Sequence, residues 1–192
     1  TIGLPAKLAI VGVACGLLAK MFVASIHLVR KLVARVLRWP PVRPVLGAIA
    51  TLAAMALFGR DYLGLSSNLL GPAFAGDHVD WYVPLLKLLF TVIALGTGFV
   101  GGEVLPLFVI GGTAGGALAP GLHAPSPLLA TTGSAAVFSS AATVMLTGIV
   151  LTVEQFGWNT LLPALIVGIV ARLVAGRPGL YVAHHRQHAA AT

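Results

Sequence analysis

A long run of residues without a formal charge constrains what this chain can fold into. From Val104 to Val153 the sequence contains no Asp, Glu, Lys or Arg. A soluble domain carries about a quarter charged residues, whereas 9% of this chain is charged and 58% is hydrophobic. Because helices satisfy their own backbone hydrogen bonds in lipid, the sequence predicts an all-α, polytopic membrane protein.

The positive charges cluster near the ends of the predicted helices. One cluster contains Arg30, Lys31, Arg35, Arg38 and Arg43, and a second contains Arg172, Arg177 and Arg186. The positive-inside rule places both clusters on the cytoplasmic side, with the acidic residues of the 61–80 loop outside. The net charge of +7 therefore reflects topology, and no nucleic-acid partner is expected.

The apolar stretches, interrupted by glycine and proline, predict a series of helices. They cover about Leu4–Leu37, Pro44–Phe58, Val83–Leu95, Val104 to just before Pro120, Leu128–Phe138, Ala141–Val153 and Thr160–Val174, with a long connection from Gly59 to Asp80. Several are shorter than the roughly 20 residues that cross a bilayer, and such half-helices surround midplane sites in transporters. We expect a transmembrane domain over residues 1–183 and a cytoplasmic tail over 184–192. Because the chain begins with Thr1, we expect a fragment.

One carboxylate, Glu103, stands at the start of the charge-free run, between Gly101-Gly102 and Pro106. A charge beside such a run is costly in lipid and marks an ion or substrate path. The flanking glycines and proline predict a helix that begins inside the membrane, with its free N–H groups facing an anion. Three roles for Glu103 stay open: a structural carboxylate bonded to backbone amides, a carrier of protons beside the anion, and an exposed group in a polar vestibule.

Glycine spacing predicts close helix packing. The small-xxx-small pairs are Gly12/Gly16, Gly98/Gly102, Gly111/Gly115 and Gly112/Gly116. Such pairs allow two helix backbones to approach closely. Gly96, Gly98 and Gly101 also match a dinucleotide fingerprint, but they follow a helical run and lack its acidic partner about 20 positions on, so nucleotide binding is not expected.

No catalytic, cofactor or metal site is expected. The lone Cys15 excludes an internal disulfide and a cysteine metal cluster. His184, His185 and His188 have a spacing that could bind a metal, but they lie in a short tail without other ligands nearby. Gly133-Ser134 lacks the rest of a nucleophile elbow, so a membrane enzyme is not expected.

Three segments resemble, in order, the C-terminal half of the CLC family of chloride channels and anion/proton antiporters. Gly102–Pro106 is similar to the family's Gly-x-Phe-x-Pro helix start, and Leu146–Glu154 is similar to its Leu-Thr-Gly-Ile-x-Leu-x-x-Glu helix. Gly176–Tyr181 resembles the family's Gly-Lys-Pro-Leu-Tyr, with one extra residue. The resemblance implies an inverted-repeat fold with broken half-helices.

The resemblance also implies an anion site. The anion would be held by the backbone amides of Val104 and Leu105 and by the hydroxyl of Tyr181. The remaining members of the helix-start motif are Gly101, Gly102, Glu103 and Pro106. The residues alone leave open a second role for Tyr181, that of an aromatic anchor at the membrane interface.

The Gly-Gly-Glu-Val form of the motif resembles the fluoride-exporting branch, in which Thr is typical at the position of Leu105. The resemblance therefore implies exchange of halide for protons, with fluoride favoured over chloride and Glu103 tuning anion or proton passage. Two alternatives stay open: a passive chloride channel of the voltage-gated type, and a non-transporting fragment or assembly subunit. The alternative of a fragment or assembly subunit rests on Thr1 and on the absence of the Gly-Arg-Glu-Gly gating segment found in the family's first half.

The resemblance further implies a homodimer in a lipid bilayer, the inner membrane of a bacterial-type cell. The interface would use the stretches that match Leu4–Leu37, Ala141–Val153 and Thr160–Val174.

Overall fold

The computed structural model describes residues 3–37, 39–99 and 101–176. Within this part, eight α-helices follow one another: α1 (Leu4–Val36), α2 (Arg43–Phe58), α3 (Ser67–Ala75), α4 (Val83–Thr97), α5 (Val104–Leu122), α6 (Ser126–Ala142), α7 (Met145–Phe156) and α8 (Leu161–Ala175). Single 3₁₀ turns at Pro40–Val42 and Trp158–Thr160 lead into α2 and α8. The predicted all-α fold is confirmed.

The helices differ in length as a fold with half-helices requires. In the part of the chain that the structure describes, four stretches are long and apolar enough to cross a membrane: Leu4–Val36, Pro40–Phe58, Val104–Leu122 and Trp158–Ala175. The apolar helices α4 and α7 contain 15 and 12 residues. At about 1.5 Å per residue, both fall short of a hydrocarbon core about 30 Å thick.

The helix α3 was missed by the sequence analysis, which treated residues 59–80 as a connection. Ser67–Ala75 form a helix even though Pro72 lies within it. A helix this short is not stable alone, and its stability comes from packing against α5 and α6. Ala73 is fully buried beside Gly116, and Leu70 reaches Gly112.

Several predicted helix boundaries also differ from those in the structure. Helix α4 ends at Thr97 rather than Leu95, and α5 continues through Pro120 to Leu122. Residues 126–142 form one helix, within which the hydroxyl of Ser139 donates to the carbonyl of Ala136 (3.3 Å). The helix ends where Thr143 adopts a left-handed conformation (φ 62°), so α7 begins at Met145 rather than Ala141.

The core is built around two helix pairs that meet at glycines. Helices α5 and α6 run antiparallel: Gly111 lies against the backbone of Gly133, and Gly115 lies against the backbone of Leu129. Helices α1 and α8 run parallel, since Gly12 faces Val170 and Gly16 faces Val174 and Ala171. The parallel arrangement points the C-terminal ends of α1 and α8 in the same direction, and each helix has an arginine in its last turn, Arg35 and Arg172.

The four glycine pairs that were predicted to pack closely differ in what they contact. The pairs at 12/16 and 111/115 pack helix against helix, and the 112/116 pair packs against α3 and the segment that follows it. The Gly98/Gly102 pair was wrongly predicted to pack. It lies in the connection between α4 and α5, where a Cβ atom added at Gly102 would meet no atom within 4 Å.

Candidate functional site

Helix α5 begins with backbone amides that its own hydrogen bonds do not use. The first bond of the helix runs from the amide of Leu107 to the carbonyl of Glu103 (3.1 Å). Pro106 has no N–H group. The amides of Val104 and Leu105 therefore have no acceptor within the helix, and they are the two amides that the sequence analysis named.

The approach to these amides is open. Gly101 and Gly102 are exposed, and the side chains of Val104 and Leu105 are 40% and 49% exposed. Helix α5 has no side-chain cap hydrogen bond from Glu103, which is half-buried. The helix start thus presents N–H groups at the positive end of a 19-residue dipole, an arrangement that favours an anion.

A cavity of about 250 Å³ lies beside the start of α5. Its walls come from α2, α4 and the 62–65 loop on one side, and from Gly101, Gly102 and Pro106 on the other. These three residues of the predicted motif are therefore brought together at one cavity. Val104 and Leu105 are at the helix start but do not line it, and Tyr181 lies outside the described residues.

The sequence analysis missed Lys87 as a component of this site. Lys87 lines the same cavity and is 1% exposed. A signal was present, since Lys87 is the sole charged residue in the apolar stretch 83–97. An ionisable residue in such a stretch is expensive to bury and points to function.

The structure also shows where other side chains that could bind a metal or carry a proton lie. Within the described residues, no group of three or more His, Cys, Asp and Glu side chains is placed to hold a metal ion. The three tail histidines lie outside the described residues. His123 is exposed at the end of α5, and Glu154 is exposed near the end of α7.

Comparison with known proteins identifies the family. The sequence model of the voltage-gated chloride channel family matches residues 4–176. The chain belongs to this family, the CLC family. The resemblance of the chain to the CLC family is thereby confirmed, and the matched range contains the first two motifs in full.

Similar CLC proteins include a chloride/fluoride channel protein of Pseudomonas syringae pv. tomato, which is 38% identical over 188 residues. Among solved structures, a CLC-type fluoride/proton antiporter has a TM-score of 0.87 at 32% identity over 94% of this chain. A slow cyanobacterial Cl⁻/H⁺ antiporter has a TM-score of 0.76 at 24% identity over 98% of this chain, a likeness of fold.

The chain spans less than half the length of each of these proteins. It covers 41% of the Pseudomonas protein and 47% and 48% of the two antiporter chains.

Proposed function

We propose that this chain forms part of a CLC-type transporter that exchanges a halide for protons across a membrane, with fluoride favoured over chloride. The observation that carries the proposal is the start of α5, where the amides of Val104 and Leu105 have no acceptor within the helix. They offer an anion two hydrogen bonds and the positive end of a helix dipole. Weak binding of this kind permits the release that transport requires.

Two observations support the proposal that fluoride is the favoured anion and that protons are exchanged for it. The Gly-Gly-Glu-Val sequence that precedes α5 resembles that of the fluoride-exporting branch, and the fluoride/proton antiporter of known structure shares 32% identity with this chain. In the proposal Glu103 carries or relays the proton beside the anion, and Tyr181 supplies a third donor to it. No enzymatic step or cofactor is involved.

A passive chloride channel is the second candidate, because the Pseudomonas relative is named a channel protein. Uphill proton movement separates the two candidates. An antiporter in liposomes uses an anion gradient to drive protons against their own gradient, whereas a channel moves none. Proton uptake that follows an imposed fluoride gradient supports exchange, and halide flux without it supports the channel.

The proposed setting is the inner membrane of a bacterial-type cell, with the protein as a homodimer. Leucines on α7 and α8 project from the fold: Leu146, Leu162 and Leu173 are 79%, 70% and 76% exposed. These side chains give the two stretches predicted to form the interface an apolar surface. Helix α1, the third predicted stretch, contributes many of its residues to the core within the chain.

The test of the proposal is Glu103→Gln in the complete protein encoded by the gene. We expect proton flux to fall on the order of a hundred-fold, at the low end of what a positioned proton-transfer group contributes, and halide flux to change much less. Both fluxes are measured in the same liposomes with a proton dye and an anion electrode. Glu154→Gln is the matched control, because Glu154 is exposed near the end of α7. Equal fluxes of both ions in the Glu103 variant and the wild type would contradict the role of Glu103.

A further inference from the structure

Lys87 carries a positive charge inside an apolar helix. It occupies the middle of α4, and its side chain is 1% exposed. Burial of an ammonium group is costly unless other groups compensate the charge. The surroundings of Lys87 therefore show whether its charge is neutralised or stays available to act on a mobile ion.

Three oxygen atoms surround the Nζ atom of Lys87. It donates to the carbonyl of Gly64 (2.6 Å), to the carbonyl of Tyr62 (3.2 Å) and to Oγ of Ser66 (2.8 Å). The Ser66 hydroxyl donates its own proton to the carbonyl of Leu63 (3.1 Å), so it accepts from Lys87. The ammonium form of lysine has three N–H donors, one for each of these oxygens.

No carboxylate cancels this charge in the described part of the chain. The ion pair found there joins His78 and Asp80, at 3.4 Å. The three oxygens around Lys87 belong to uncharged groups, which satisfy its hydrogen bonds but leave a net charge of one. The residues that line the adjacent cavity include no Asp or Glu.

The loop that supplies the oxygens is bent around the ammonium group. Gly64 and Ser66 both have left-handed backbone conformations, with φ of 62° and 52°. Such a conformation is unfavourable for serine, and the contact with Lys87 helps to offset its cost. The ring of Tyr62 also packs on Phe90 of α4, with centroids 5.7 Å apart. Lys87 is thus held rigidly at the wall of the cavity.

The cavity connects this fixed charge with the start of α5. Its volume of about 250 Å³ has room for a small ion and several waters, at about 30 Å³ for each water. Thr51 also lines the cavity, and its buried Oγ1 atom has no hydrogen-bond partner in the described structure. A cavity with one sign of charge and low-dielectric walls concentrates ions of the opposite sign.

We propose that this cavity is an access site for the halide, and that Lys87 is the positioning residue whose fixed charge draws the anion to the start of α5. The inference rests on the proposed function and adds a second place for the ion on its route. Lys87 acts through its field and not through contact, because its three donors are already used.

The test compares Lys87→Gln with Lys87→Arg in the complete protein, reconstituted in liposomes with fluoride and chloride at graded concentrations. Both side chains can donate to the surrounding oxygens, but only arginine keeps the charge. We expect the half-saturating halide concentration of the Gln variant to be about ten-fold above that of the Arg variant, with a much smaller change in the maximal rate. One unit charge has an effect of this size at a separation on the order of 10 Å and an effective dielectric constant of about 20. Equal half-saturating concentrations would overturn the proposal.

A second pair of variants leaves Lys87 and its loop in place. Thr51→Asp adds a negative charge to the cavity, and Thr51→Asn adds a neutral side chain of the same shape. We expect the half-saturating concentration to be about ten-fold higher with Asp than with Asn. Equal values for this pair would overturn the proposal even if the Lys87 variants fail to fold.

The same measurements distinguish a failure of the access site from a failure of the proposed function. Wild-type liposomes that move no halide would contradict the proposed function itself. Transport by the wild type, with no dependence of half-saturation on the charge at either position, would contradict the access site alone.

Discussion

Replacing Gly115 with alanine will force α5 and α6 apart and lower the free energy of unfolding by about 1–3 kcal/mol, the usual cost of overpacking a core. A Cβ atom at Gly115 would overlap the backbone carbonyl group of Leu129, and one at Gly111 would overlap the carbonyl of Gly133. Backbone atoms cannot turn aside as a flexible side chain can. The change is measured by equilibrium unfolding of the complete protein in detergent micelles, and Gly111→Ala is expected to behave in the same way.

Gly71→Ala is the matched control, because this glycine also lies within a helix and a Cβ atom there would meet nothing within 4 Å. Alanine is the better helix former by about 1 kcal/mol, so the control should be neutral or more stable than the wild type. The two substitutions are chemically identical and are expected to have effects of opposite sign. Similar effects at 71 and 115 would show that the close approach of α5 and α6 does not limit stability.

Much of this fold was predictable because the bilayer leaves few choices. A charge-free run such as 104–153 must satisfy its backbone internally, as helices do. Glycine pairs at helical spacing identified the faces of α1 and α5 that pack closely, though not the helices they contact. The start of α5 was also predictable, because two glycines precede Glu103, and Pro106 is a residue that a helix tolerates in its first turn.

The features that were missed depend on tertiary contacts. Helix α3 forms because Leu70 and Ala73 pack against α5, and no local pattern in residues 59–80 reports that contact. The wrong assignment of Gly98/Gly102 has the same origin, since glycine spacing alone cannot distinguish a packed helix face from a connection. Lys87 was visible as an isolated charge, but its partners lie 21–25 positions earlier in the chain, and spacing gave no indication that they surround it.

Leu105→Thr is expected to shift the anion preference towards fluoride by about ten-fold, the effect of one hydrogen bond to a charged group. Leu105 is the second residue of α5, beside an amide that has no acceptor within the helix. A threonine hydroxyl there adds a donor next to the anion. Fluoride gains more from the added donor than chloride does, because it is smaller and concentrates its charge. The ratio of fluoride to chloride flux in liposomes, measured on the complete protein, gives the result.

The decisive control for this prediction is Leu105→Val, since valine has the shape of threonine without the hydroxyl. Leu105 is 49% exposed within this chain, so neither residue leaves a large cavity, and the two variants differ in one donor group. If they share the same ratio of fluoride to chloride flux, the side chain at this position does not face the ion, and the backbone amides of α5 act without it. If threonine alone raises the ratio, the anion lies within hydrogen-bonding distance of the second residue of α5. That result places the ion at the helix start independently of Tyr181.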